Sequence, residues 1–377
     1  MTDERFNDIR PYHDDEVHAA MCRIADSPLL QNVADFLYAG VDIEQIKSLF
    51  RSIHTSHEFQ MKVMHFAIHE IARKTCTKFT CEAITQLDTS KSYLFISNHR
   101  DILLDSALYQ IALHDNGYKT SEITFGSNLM NPDFVVDVGR SNKMFRVERG
   151  GNPREFYHHS RHLSDYIRYT IKHKHESIWI AQRNGRTKDG NDMTDQGILK
   201  MFSMSGSHEL IHNFSDLNIA PLSISYQYEP CIVGKVRELY ISKTGKYEKA
   251  PGEDLQSILL GITQFKGLVN IQVTKPITHD ELESLQELPK TEIYTALLQM
   301  IDTRIHTEYK LYDTNYMAYD ILHNSQTYLD SKYSQADKQK FEDLVKKDIS
   351  QIEGDAKELE KIYLGIYANP VINALKY

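Results

Sequence analysis

Over the first 80 residues, apolar side chains recur at helical spacing. Val17, Met21, Ile24, Leu29, Val33, Phe36 and Leu37 make one such stretch. Ile43, Ile46, Leu49, Phe50 and Ile53 make a second, and Phe59, Val63, Met64, Ile68 and Ile71 a third. Gly40 and His54-Thr55-Ser56 break the pattern between them. A helical cap over residues 1–80 is expected. Beyond it the pattern shortens to apolar runs of strand length at Tyr93–Ser97, Glu122–Phe125, Phe134–Val138, Ser177–Ala181, Ile219–Tyr226 and Leu268–Val273. Helix-like stretches such as Ile102–Ala112 and Arg154–Lys172 lie between several of them. Strands alternating with helices predict an α/β core over residues 81–280, a mixed, largely parallel sheet flanked by helices. Helical stripes return over residues 281–377, first Ile293, Leu297, Leu298, Ile301 and Ile305, then Phe341, Leu344, Val345, Ile349 and Ile352. Neither has the basic, bulky-apolar character of a membrane-surface helix, so a helical C-terminal extension with core-packing stripes is expected.

The chain has 377 residues, 41% hydrophobic and 25% charged, which is ordinary for a globular protein long enough to bury a core without disulfides. Its net charge of −9 argues against nucleic acid as a partner. No run of about 18 apolar residues occurs, so no membrane-spanning helix is expected. The charged start, MTDERFNDIRPYHDDE, is not expected to be a signal peptide. Cys22, Cys76, Cys81 and Cys231 form no CxxC pair and read as reduced thiols of a cytoplasmic protein.

The polar cluster Ser97-Asn98-His99-Arg100-Asp101 follows a buried strand directly and leads into an apolar stretch containing Asp105. Chemistry in open α/β sheets gathers at the carboxyl ends of strands. A histidine there, with a carboxylate close by, has the parts of a general base and its orienting partner. The imidazole takes a proton from a hydroxyl, and the carboxylate holds the tautomer and stabilises the imidazolium. A substrate hydroxyl then attacks without a protein nucleophile. His99-Arg100-Asp101 matches the start of a kinase catalytic loop, but no Gly-rich loop, VAIK-like strand or DFG accompanies it. His158 and His162 are four apart, a metal-like spacing, yet no HExxH occurs and no metal is expected. Ser205-Gly206-Ser207-His208 lacks a GxSxG elbow.

Four segments resemble, in order, the signature blocks of the glycerolipid acyltransferases, the family of lysophosphatidate and glycerol-3-phosphate acyltransferases. They are Asn98-His99 through Asp105, Met144–Gly150, Ile178–Arg186 and Ile219–Ile224, and the resemblance covers roughly residues 80–280. Two departures stand out. Five residues rather than four separate His99 from Asp105, with Asp101 as an alternative acid. Asn184 stands before Gly185 where the family usually has Glu. Neither spacing puts His and Asp on one face of a regular helix, so a non-helical turn is needed between them. Asp105 is favoured because the family's acid opens the following helix.

The resemblance implies a peripheral acyltransferase of glycerophospholipid synthesis on the inner face of the cell membrane. His99 would be the base, and Arg149, Arg183, Asn184, Gly185 and Arg186 would bind the acceptor phosphate, with Lys188 adding charge. Gly185 would let the backbone approach the ligand, and the N–H groups near it would serve as oxyanion donors. The Gly150–Pro153 turn offers a second phosphate position at a helix N-terminus. The donor would be an acyl thioester on CoA or acyl carrier protein, with no cofactor or metal, and the acceptor 1-acyl-glycerol-3-phosphate. Glycerol-3-phosphate or an amino-acid lipid is the alternative acceptor. A lipid-binding protein without catalysis is the alternative of another class, for which Asn184 speaks.

Overall fold

The computed structural model describes residues 4–38, 40–130, 132–148 and 150–377. Seven strands form one sheet: β1 (Cys76–Glu82), β2 (Leu94–Ser97), β3 (Glu122–Gly126), β4 (Met144–Val147), β5 (Ile178–Ala181), β6 (Ile219–Tyr226) and β7 (Gly267–Val273). Their order is β1-β7-β6-β2-β5-β3-β4, and every neighbouring pair is parallel except β6 and β7. The fold is thus α/β with a mixed, largely parallel sheet, as the alternating pattern predicts.

β2 and β6 run through the middle of the sheet and are buried along their whole length, which explains the consecutive apolar residues of Leu94–Ile96 and Ile219–Leu222, while Ser223 and Ser225 are buried polar positions in the second half of β6. Successive side chains still point to opposite faces. Leu94, Ile96, Ile178 and Ile180 join Tyr166, Ile167, Leu297 and Ile301 in one core. Phe95, Trp179, Leu222 and Ile224 join Leu104, Leu108 and Ile111 in the other. The stripe on Lys290–Thr307 therefore covers one face of the sheet, while Leu104–Asp115 covers the opposite face. Asp14–Asp26, Leu29–Leu37 and Ile43–Arg51 surround a separate N-terminal core. At the other end, Ile232–Ser242, Asp313–Leu322, Gln335–Ile349 and Ala356–Ala374 share a fourth.

Phe134–Val138, expected as a strand, lies instead in the helix Asp133–Ser141. Phe134 and Val138 are four apart and pack together on the N-terminal core, while Asp137 accepts hydrogen bonds from Arg23 and Tyr12. A short apolar run does not distinguish the two structures, and tertiary contacts decide. The segment Met144–Val147, which opens the second of the four resembling segments, is itself the edge strand β4. The other edge strand, β1, straddles the boundary placed at residue 80. Pro221 sits inside β6 without breaking it, its carbonyl accepting from Thr274 N–H at 3.1 Å and Oγ1 at 2.8 Å.

Candidate active site

β2 ends at Ser97, and the chain turns irregularly through Asn98–Leu103 before Leu104–Asp115 begins. Asn98 fixes the start of this turn. Its Oδ1 accepts from Ile224 N–H at 2.7 Å, and its Nδ2 donates to Ile224 O at 2.9 Å and to Asp192 at 3.1 Å. The side chain thus mimics a strand residue pairing with β6. This non-helical turn makes the five-residue spacing work, because it brings His99 Nδ1 to 2.8 Å from Asp105 Oδ2 in the first turn of the helix. The same oxygen accepts the N–H groups of Arg100 at 2.5 Å and Asp101 at 3.0 Å, and Oδ1 accepts the Tyr226 hydroxyl at 2.7 Å.

Burial pushes the Asp105 carboxyl up, but the hydrogen bond and charge of His99, with Tyr226 and the Asp101 N–H, outweigh it and hold the group below its ordinary value. Asp105 is therefore an anion, and Nδ1 of His99 carries the proton between them. Nε2 has no hydrogen-bond partner among the described residues. The ring packs edge-on to Trp179 at 5.5 Å between centroids and is only 9% exposed.

Asp101 has a different job. Its Oδ1 accepts from Leu103 N–H at 3.0 Å and Leu104 N–H at 2.8 Å, capping the helix, and it does not bond to His99. Its Oδ2 is buried without a partner, and burial together with the Asp105 charge raises its pKa. Gly261 packs against it so closely that a β-carbon there would lie 2.2 Å from Oδ2.

The loop after β5 closes over this turn. Gln182 N–H donates to Ser97 O and Thr187 N–H donates to His99 O, both at 2.7 Å. Between them, Gly185 takes a left-handed φ of +76° that glycine adopts without strain. Asn184 is exposed, and Arg183 is half-buried with no ion pair among the described residues. Arg186 is half-buried, and its Nη1 is buried without a partner. Its charge reaches Asp101 and Cys231. Arg186 also lines a cavity of about 810 Å³ whose wall includes Lys235, Ile232, Leu260 and Phe265. Lys188, expected to add free positive charge, is instead paired with Glu238. Arg149 lies outside the described residues. The helix Pro153–Tyr169 opens with a reciprocal Asn152–Glu155 cap, so a carboxylate already occupies the N-terminus expected as a second phosphate position.

Sequence reasoning missed a buried ionic network behind the turn. Arg100, fully buried, donates to Asp192 at 2.6 Å and Glu229 at 3.2 Å, and its guanidinium lies 5.5 Å from the Tyr309 ring. Lys235 donates to Glu229 at 2.5 Å and to Arg100 O at 2.7 Å. Tyr226 was also missed as a site residue. Its signal was its place at the carboxyl end of the strand beside β2.

No protein-family model matches the chain, and no curated protein matches it. Among solved structures, the chain is similar to the 1-acyl-sn-glycerophosphate (LPA) acyltransferase PlsC from Thermotoga maritima. The two are 11% identical, with 75% of this chain and 92% of that chain covered and a TM-score of 0.37. So slight a likeness says nothing of the chemistry.

Proposed function

We propose that the chain is an O-acyltransferase that moves a fatty acyl group from a thioester, acyl-CoA or acyl carrier protein, to a hydroxyl of 1-acyl-glycerol-3-phosphate. The observation that carries this reading is the His99–Asp105 pair. An ionised, hydrogen-bonded carboxylate holds Nδ1–H at 2.8 Å and leaves Nε2 as the basic atom at the carboxyl end of a central strand. In the proposed reaction, Nε2 takes the proton of the acceptor hydroxyl as its oxygen bonds to the thioester carbon. The tetrahedral oxyanion collapses, the C–S bond breaks, and the imidazolium returns its proton to the departing thiolate. An ester and a free thiol result.

Arg183 and Arg186 are the proposed phosphate contacts, being cations without carboxylate partners on the loop that touches His99. The cavity beside Arg186, lined by Arg186, Lys235, Arg237 and Lys347 with Glu238, Glu253 and Asp348 and by the apolar Leu260 and Phe265, offers both charge and apolar surface to an anionic amphiphile. Glycerol-3-phosphate or an amino-acid lipid would use the same base. Asn184 in place of an acid favours the second reading, a lipid-binding protein without turnover.

Thiol release from acyl-CoA and acyl carrier protein by the purified chain, with a panel of acceptors, tests the proposal. Transfer is expected, and His99→Ala should lower kcat by roughly 10²–10⁴-fold with acceptor binding nearly intact. Full turnover by His99→Ala, or binding of phospholipid without transfer to any acceptor, overturns it.

A further inference from the structure

Away from the His99 turn, the helices His65–Thr75 and Leu104–Asp115 bring three imidazoles and a carboxylate together. His65 and His69 are four apart and share a helix face. Their Nε2 atoms lie 3.2 Å from each other. His65 Nε2 is 2.7 Å from Asp115 Oδ1, and His69 Nε2 is 3.1 Å from Asp115 Oδ2. His114 stands beside them, its ring centroid 5.0 Å from that of His65, and offers a ligand atom within 4.8 Å of those of His65 and Asp115.

We propose that these four residues bind one zinc ion. A tetrahedral zinc with Zn–N bonds of about 2.0–2.1 Å places its ligand atoms roughly 3.3 Å apart. The His65–His69 separation of 3.2 Å and the His69–Asp115 Oδ2 separation of 3.1 Å are close to that, and His65 lies 2.7 Å from the other oxygen of Asp115. Imidazole nitrogens with a carboxylate oxygen match zinc and not magnesium or calcium, which take oxygen ligands. His65, His114 and Asp115 form the group whose ligand atoms all lie within 4.8 Å of one another, and His69 stands against two of its members, His65 and Asp115. The side chains of His65, His69 and Asp115 are 30%, 44% and 39% exposed, which leaves the ion a way in. A π-helical turn, Gln60–Met64, immediately precedes His65, and such turns concentrate at functional sites. The ion would clamp the end of Leu104–Asp115 remote from Asp105, about 15 Å along the helix from it. It would act on the stability of that helix without entering the acyl-transfer chemistry.

His158 and His162 have the same spacing but no such cluster, since His162 bonds to Asp8 at 3.1 Å and packs on the Phe6 ring. They supply the control. The full chain, stripped with chelator, is titrated with ZnCl₂ by calorimetry and then loaded with Co²⁺. One zinc per chain, a raised Tm and the intense visible absorption of tetrahedral cobalt are expected. His65→Gln with His69→Gln should weaken zinc binding by about 100-fold or more, whereas His158→Gln leaves it unchanged. No zinc binding, an octahedral cobalt spectrum in the wild type, or affinity within twofold of wild type in the double variant overturns the proposal. The cobalt spectrum decides it even where the double variant fails to fold.

Discussion

Tyr226 donates its hydroxyl to Asp105 Oδ1 at 2.7 Å, across 121 residues of sequence. One residue ends β6 and the other opens the helix after β2, so the bond joins the carboxyl ends of two neighbouring strands. Oδ2 is taken by His99 and two backbone N–H groups, and Tyr226 is the partner of Oδ1. Tyr226→Phe leaves that oxygen buried and unpaired, at a cost of about 1–3 kcal/mol to the carboxylate. Asp105 then stabilises the imidazolium less. We expect kcat to fall roughly 5–30-fold with KM nearly unchanged. Steady-state rates at saturating acceptor check this, and an effect on KM alone would uncouple Tyr226 from the base.

The two acids should respond to pH in opposite directions. Folding holds Asp105 below its ordinary value of 3.8, so its stabilising effect is present above that pH and lost as the pH falls through the lowered value. Asp101 is raised above 3.8, first by burial and then by the Asp105 charge. Its contribution is favourable below that pH and becomes a cost as the pH rises through the raised value. Asp101→Asn keeps an oxygen for the Leu103 and Leu104 N–H groups and removes the buried charge. Its Tm at pH 7 should match or exceed that of wild type, with the difference shrinking toward pH 4. Asp105→Asn should lower Tm at pH 7. Melting curves across this range give the answer, and a loss for Asp101→Asn equal to that for Asp105→Asn would reject the assignment of roles.

Much of this arrangement was legible in the sequence. The central strands announced themselves because burial on both faces demands consecutive apolar residues, and a polar cluster directly after Leu94–Ser97 stood out against them. The edge strand β1 was hidden because Cys-Thr-Lys-Phe-Thr-Cys-Glu is only partly buried and lacks an apolar run. The ionic network was illegible for another reason. Arg100 meets Asp192, Glu229 and Lys235 across 92, 129 and 135 residues, and no local pattern encodes such pairings. The His65–Asp115 group was missed likewise, since its halves lie on two helices 50 residues apart.

Gly261 sits inside the helix Glu253–Thr263, where alanine would ordinarily stabilise by about 1 kcal/mol. Here a β-carbon would meet Asp101 Oδ2 at 2.2 Å, and Asp101 is fully buried with Oδ1 held by the Leu103 and Leu104 N–H groups. Gly261→Ala should therefore destabilise, by roughly 1–3 kcal/mol, and lower activity by pushing the His99 turn. Urea denaturation beside rate measurements tests both. A gain in stability would show that the contact yields.

Leu255 and Leu259 are four apart on the same helix and are 51% and 54% exposed, while Leu260 and Phe265 beside them line the cavity. An amphiphilic acceptor would leave a bilayer through such a mouth. A membrane contact of the proposed peripheral enzyme would then fall on this helix. Leu255→Asp with Leu259→Asp should abolish flotation with phosphatidylcholine vesicles and spare turnover of a short-chain, soluble acceptor. Unchanged flotation would move the membrane contact elsewhere.

The buried network gives a prediction in two steps. Arg100 is fully buried between Asp192 and Glu229, and Glu229 also has Lys235. Arg100→Ala leaves Glu229 one cation but strips Asp192 of its own. Breaking a buried ion pair by removing one partner costs about 3–5 kcal/mol. Asp192 also accepts from Asn98, the residue that sets the start of the His99 turn, so the damage should reach activity. Removing both charges is a different matter, because a neutral pair of similar volume leaves no uncompensated buried charge. Arg100→Met with Asp192→Asn should therefore recover most of the stability lost in Arg100→Ala. Chemical denaturation of wild type, single and double variants measures this. A single variant within about 1 kcal/mol of wild type would mean that water reaches Asp192, and a double variant no better than the single would mean that the network holds the turn by shape rather than by charge.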